Sequence, residues 1–136
     1  MRRFILAAGL AGLVAQPVFS DEYDALRADS RIHNGLLVIM IGSHIQDTCP
    51  TIEARSLSAT GFMFGLARHA MSLGYSRAQV ERYVDDEEER ARFETLARTY
   101  FAQHGVTSDD DVEGACRVGE QEMTDQTSVG RLLRHS

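Results

Sequence analysis

The 136-residue sequence has no lysine, no tryptophan, only two prolines and only two cysteines. All 14 basic residues are arginines, and 20 acidic residues outnumber them. The missing lysine reads as a codon preference rather than as chemistry. No basic stripe is present, and an acidic balance repels phosphate backbones and anionic lipid heads, which argues against a nucleic-acid partner. The two cysteines, Cys49 and Cys116, form no CxxC, no CxxCH haem site and no Cys/His set with zinc spacing. Dithiol exchange and structural zinc are therefore not expected. Beyond the N-terminus the longest apolar run is Leu36 to Ile41, far short of the roughly 20 residues a membrane helix needs.

What is present begins with an export pattern. Arg2 and Arg3 give a positive start, and Phe4 to Ala15 form an apolar stretch. Gln16 and Pro17 break it, and Val18-Phe19-Ser20 places an uncharged residue and a small one where a signal peptidase reads them. The expectation is a signal peptide over residues 1–20, cut between Ser20 and Asp21, and a periplasmic or secreted product. The rival is an uncleaved anchor. Cleavage leaves 116 residues, enough for one domain to bury a core without metals. It removes two arginines and no acid, so 12 basic residues face 20 acidic ones and the balance is about −8. In an oxidising compartment two cysteines suggest one disulfide, the alternative being two buried thiols.

Along the mature chain the apolar spacing is helical. Residues 21–30 are polar and read as a flexible N-terminal segment before a helical domain over 31–136. From Arg31 to Asp47, Ile32, Leu36, Ile39 and Met40 recur at helix spacing. A buried strand at Leu36–Ile41 is the rival. A second helix is expected from Thr51 to Leu73, with Ala59, Phe62, Met63, Leu66, Ala67, Ala70 and Leu73 on one stripe and Gly74 after its end. Ser76 and Gln79 suit the capping box of a short third helix carrying Val80, Tyr83 and Val84. Asp85 and Asp86 open a fourth, with Glu87, Glu88 and Glu89 in its first turn. Its face is Phe93, Leu96, Ala97, Tyr100, Phe101 and His104. Asp109–Asp111 begin a fifth, with Val112, Ala115, Cys116, Gly119 and Met123 on one side, and Val129, Leu132 and Leu133 suggest a last helical turn. No stretch alternates as a strand would. The expected fold is all-α, a single compact domain of four to six helices closed by one disulfide.

Several of these residues together carry a family resemblance over roughly Asn34 to Leu133. They are Asn34-Gly35-Leu36, Cys49-Pro50 with Ile52 and Ala54-Arg55, Gly61-Phe62 with Leu66, Leu73-Gly74-Tyr75-Ser76, and Tyr83-Val84-Asp85. Tyr100 with Gly105, then Cys116, Gly119, Glu122 and Leu132-Leu133, complete the set. The chain resembles a family of small exported bacterial helical proteins known only as a domain of unknown function. The resemblance implies a helical fold tied by a Cys49–Cys116 bridge and implies no activity. Some members are encoded near subunits of respiratory NADH dehydrogenase, so it also implies a weak link to assembly of that enzyme. The acidic run Asp85–Glu89 is longer here than the family's usual pattern.

The candidate sites are few. Counted from Asp109, acids fall at positions 1, 3, 5 and 12 with Gly114 at position 6, as in a calcium loop. Glu113 at position 5, Arg117 at position 9 and Cys116 at position 8 argue against it. The plainer reading is an acidic cap and first turn. His33, His44, His69, His104 and His135 show no HxH or HxxxH spacing, and surface or capping roles are expected. The serines lack a GxSxG elbow. Glu87 and Glu88 point different ways on a helix. Tyr75, Tyr83 and Tyr100 could line a pocket but suit a core, and Arg55 and Arg68 suit the surface. No catalytic residue, cofactor or metal set is assigned. The leading expectation is a non-enzymatic accessory or protein-interaction module with an unknown protein partner in the periplasm and no membrane span after cleavage. The alternative is a small-ligand carrier with an apolar pocket between helices, and the third class an enzyme with dispersed catalytic residues.

Overall fold

The segment after Asp29 is too apolar for a surface helix, and it becomes the axis of the molecule. In the computed structural model, which describes residues 21–136, it forms α2 (Ser30–Thr48). The expected export segment, 1–20 with Ser20 at its cleavage point, lies outside the described residues. Asp29 caps α2, its carboxylate accepting from the Ile32 N–H at 2.9 Å. Ile32, Gly35, Ile41, Gly42 and Ile45 are all buried, so α2 is covered on more than one face. It touches α1 (Asp24–Ala28), α3 (Ser56–Ser72), α5 (Glu87–Gln103) and α6 (Val112–Thr124). The fold is mostly helical, with six α-helices among the described residues.

The core has two parts, one at each end of α2. At its C-terminal end Ile41, Ile45, Cys49, Ile52, Phe101, Val118 and Leu133 pack together. Cys49 and Cys116 are joined within this part, with Sγ–Sγ 2.02 Å and Cα–Cα 5.1 Å. The bridge ties the end of α2 to α6. Gly119 lies against α2 and the strand after it: a Cβ there would stand 2.7 Å from Ile45 Cγ2 and 2.6 Å from Ile52 Cδ1. At the N-terminal end Leu26, Ile32, Ala70 and Tyr83 form the smaller part.

The acidic and small polar residues start the helices as expected. Ser76 and Gln79 form a reciprocal capping box on α4 (Arg77–Asp85), and Asp86 caps α5 by accepting from the Glu89 N–H at 2.9 Å. Gly74, past the end of α3, has φ +101°, a left-handed turn that glycine adopts without strain.

Three expectations are corrected. Thr51–Ala54 is not helical. Ile52–Ala54 form β1, and α3 begins only at Ser56. The C-terminus does not end in α-helix either: after a 3₁₀ turn at Gly130–Leu132, Leu133–His135 form β2. The strands pair antiparallel, Ile52 with His135 and Ala54 with Leu133. Three-residue strands are too short to show alternation, and a partner about 80 positions away along the chain leaves no local signal. The third correction is at residues 21–30, where α1 forms and Leu26 is buried. Its Leu26 supplies an apolar contact that the surrounding polar residues hide from a periodicity count.

Candidate functional site

The residues that stand out are on α3. This 17-residue helix contains no acidic residue, and its only basic side chains are Arg68 and His69. A helix that is apolar nearly all round belongs in a core. Yet only Leu66 and Ala70 of α3 are buried. Leu57 is 92% exposed, Phe64 60% and Met71 40%. These three are seven residues apart, close to two helical turns, so they form one outer stripe. Gly61 sits on the same side with open space where its side chain would be.

Beneath α3 lies an apolar groove of about 340 Å³. α2 supplies Ile32, Leu36, Ile39 and Met40, α3 supplies Met63, Leu66, Ala67 and Ala70, and Val80, Tyr83, Val84 and Phe93 close it from α4 and α5. Met63 and Val84 are themselves exposed, so the groove opens to solvent between α3 and α4.

One carboxylate is buried at this groove. Glu89 is 4% exposed. Its Oε1 accepts from Arg27 Nε, and its Oε2 accepts from Arg92 Nε at 3.1 Å and Arg92 Nη2 at 2.8 Å. Arg92 Nη2 also donates to the Tyr83 hydroxyl at 3.2 Å, and its guanidinium lies 4.6 Å over the Phe93 ring. Burial pushes the Glu89 carboxyl up, but the hydrogen bonds from the two arginines outweigh it and hold it below the usual range. The same bond raises the Arg27 guanidinium further above its ordinary value. Burial, and then the charge on Glu89, pushes the Tyr83 phenol up. A carboxylate locked ionised between two permanent cations neither gives nor takes a proton near neutral pH. The cluster is a structural clamp tying α1 to α5.

A larger cleft of about 550 Å³ runs along the other halves of α2 and α5. His44, Asp47, Glu94, Arg98 and Asp109 line it. Arg98 pairs with Glu94 at 3.8 Å and Asp109 at 3.5 Å, and the His44 ring lies tilted against Phe101 at 4.6 Å between ring centres. No side chain there is placed as a nucleophile with its base.

The structure separates the residues of the calcium-like motif. Asp111 caps α6, accepting from the Gly114 N–H at 2.8 Å. Asp109 faces Arg98, Asp110 accepts from Ser108, and Glu120 pairs with His135 at 2.8 Å. The histidines are likewise dispersed. His33 lies near Phe93, His69 meets Asp29 at 2.9 Å, and His104 bonds the Tyr100 carbonyl at 2.7 Å. Tyr83 is buried and lines the groove. Tyr75 donates to the Glu22 carbonyl at 2.8 Å, and Tyr100 donates to Glu122. Arg55, Arg68, Glu87 and Glu88 are exposed, and Arg55 Nε donates to the Leu133 carbonyl at 2.9 Å. Among the described residues no helix is long and apolar enough to cross a membrane.

Two residues of the site carry little signal in the sequence. Glu89 is one of three first-turn acids, but it lies one turn before Phe93 on the line of Phe93, Ala97 and Phe101. Asp29 lies in the polar segment 21–30 and is not singled out there, although an acid three residues before Ile32 is an ordinary helix cap.

No curated protein matches the chain. No solved structure matches it either. A family model described as "Family of unknown function (DUF5333)" matches residues 24–134, from the start of α1 into β2. The match covers every described helix and both bridge cysteines, and the chain belongs to that family of unknown function.

Proposed function

We propose that the protein is a non-enzymatic interaction module working outside the cytoplasm, and that the outer stripe of α3 docks on an amphipathic helix of a partner protein. The observation that carries this is the exposure of Leu57, Phe64 and Met71 on a helix with no acid and almost no charge. Such a stripe is costly to leave in water, and helices commonly recognise one another through apolar residues at this spacing. The excess of acid elsewhere on the chain favours a basic partner. The Cys49–Cys116 bridge supports an oxidising compartment, in keeping with the export pattern of residues 1–20. The family resemblance directs the search for the partner first to assembly of respiratory NADH dehydrogenase.

Affinity isolation of the tagged protein from its own periplasm tests this against a Leu57→Ser, Phe64→Ser, Met71→Ser variant. The parent should retain a defined protein that the variant loses, with helical spectrum and melting temperature preserved. Equal recovery by both, or collapse of the variant's fold, would contradict the reading.

A further inference from the structure

We infer that the groove beneath α3 is a binding site for one medium-length hydrocarbon chain ending in a carboxylate, a free fatty acid of about ten carbons. The groove and the outer stripe of α3 are different surfaces, so this does not depend on the partner reading.

The chemistry of the walls selects the ligand. Ile32, Leu36, Met63, Ala67, Val84 and Phe93 present only carbon and sulfur. The two buried polar groups among the lining residues, Glu89 and the Tyr83 hydroxyl, are already engaged. Both oxygens of Glu89 are held by Arg27 and Arg92, and the Tyr83 hydroxyl accepts from Arg92. Among the described residues no buried side-chain nitrogen or oxygen lacks a partner. A polar metabolite would lose its hydrogen bonds to water among these apolar walls and regain none there, whereas a hydrocarbon chain loses nothing.

Size and charge narrow it further. A methylene group takes up about as much room as a water molecule, roughly 30 Å³. The 340 Å³ of the groove therefore suits one chain of about ten carbons and not the two long chains of a membrane phospholipid. Two further charged residues line it. Glu81 is tied to Arg77 at 3.1 Å, while among the described residues Arg90 has only a long contact to Asp85, at 3.9 Å. Against an otherwise acidic chain, Arg90 is therefore, among the described residues lining the groove, the cation available to a carboxylate head while the tail lies under α3.

Calorimetric titration of the purified protein with decanoate and with decanol, both below their aggregation limits, tests this. Decanoate should bind saturably with a micromolar dissociation constant. Ala67→Phe, which fills the groove, should weaken both ligands at least tenfold while keeping the helical spectrum. Arg90→Ala should weaken decanoate about fivefold or more and leave decanol unchanged. The triple variant of the outer stripe should bind decanoate as the parent does, which separates this site from the docking reading. No saturable binding, an Ala67→Phe protein that binds like the parent, or an equal loss of both ligands in Arg90→Ala would overturn the assignment. Binding to phosphatidylcholine vesicles in place of decanoate would overturn the single-chain ligand.

Discussion

Glu89 ties α5 to α1 through Arg27. Its carboxyl is buried, yet the two arginines hold it below its usual range, as the Ile32 N–H and His69 do for Asp29. A carboxylate whose folded value is depressed contributes stability above its unfolded value of about 4, and that contribution is lost as pH falls through the folded value. Glu89→Gln should therefore cost about 2–4 kcal/mol at pH 7, because Arg27 and Arg92 lose their common anion, the partial exposure of both arginines keeping the cost below that of a fully buried pair. The gap between parent and variant should narrow as pH falls from about 5 towards 2. Urea unfolding across that range checks both points, and a gap independent of pH would show that the clamp contributes nothing through its charge. Glu89 was legible in principle from the line it shares with Phe93, Ala97 and Phe101. It was masked by Glu87 and Glu88 beside it, which are exposed and serve only the helix N-terminus.

At the scale of the elements, periodicity and capping mark the helices α2 to α6, and for physical reasons they say less about what those helices face. The stripe read on α3 from Ala59 to Leu73 contains its two buried residues, Leu66 and Ala70, but Met63 and Leu73 on that stripe are exposed. Likewise Val112, read as inward-facing, is exposed at the start of α6, while Gly114, Ala115, Val118 and Gly119 are buried. The glycines separate the two kinds of surface. Gly119→Ala would drive a methyl group into Ile45 and Ile52, and should destabilise by about 1–3 kcal/mol. Gly61→Ala meets nothing and should be neutral or stabilise by up to about 1 kcal/mol, since alanine is the better helix former. Thermal melts of the two variants side by side decide this. Equal losses would mean that the Gly61 face of α3 is as closely packed as the α6 crossing.

For the molecule as a whole, two features stand out: the bridge and the bare face of α3. Cys49 and Cys116 are 67 positions apart, and closing such a loop in the unfolded chain contributes roughly 4 kcal/mol. Reduction should lower the melting temperature by about 15 °C while a helical spectrum persists in the cold. A melt unchanged by reductant, with both thiols shown to be alkylated, would contradict that role. The bridge was legible because only two cysteines exist in a chain with an export pattern. The exposure of α3 was not, because apolar periodicity does not distinguish a core from a docking surface. The proposed docking rests on that exposure, and a photo-cross-linking side chain placed at residue 64 in the living source cell tests it. A discrete adduct to one other protein should form from position 64 and not from a control position at the exposed Glu113. No adduct from position 64, the same adducts from both positions, or an adduct only to a second copy of this chain would contradict it.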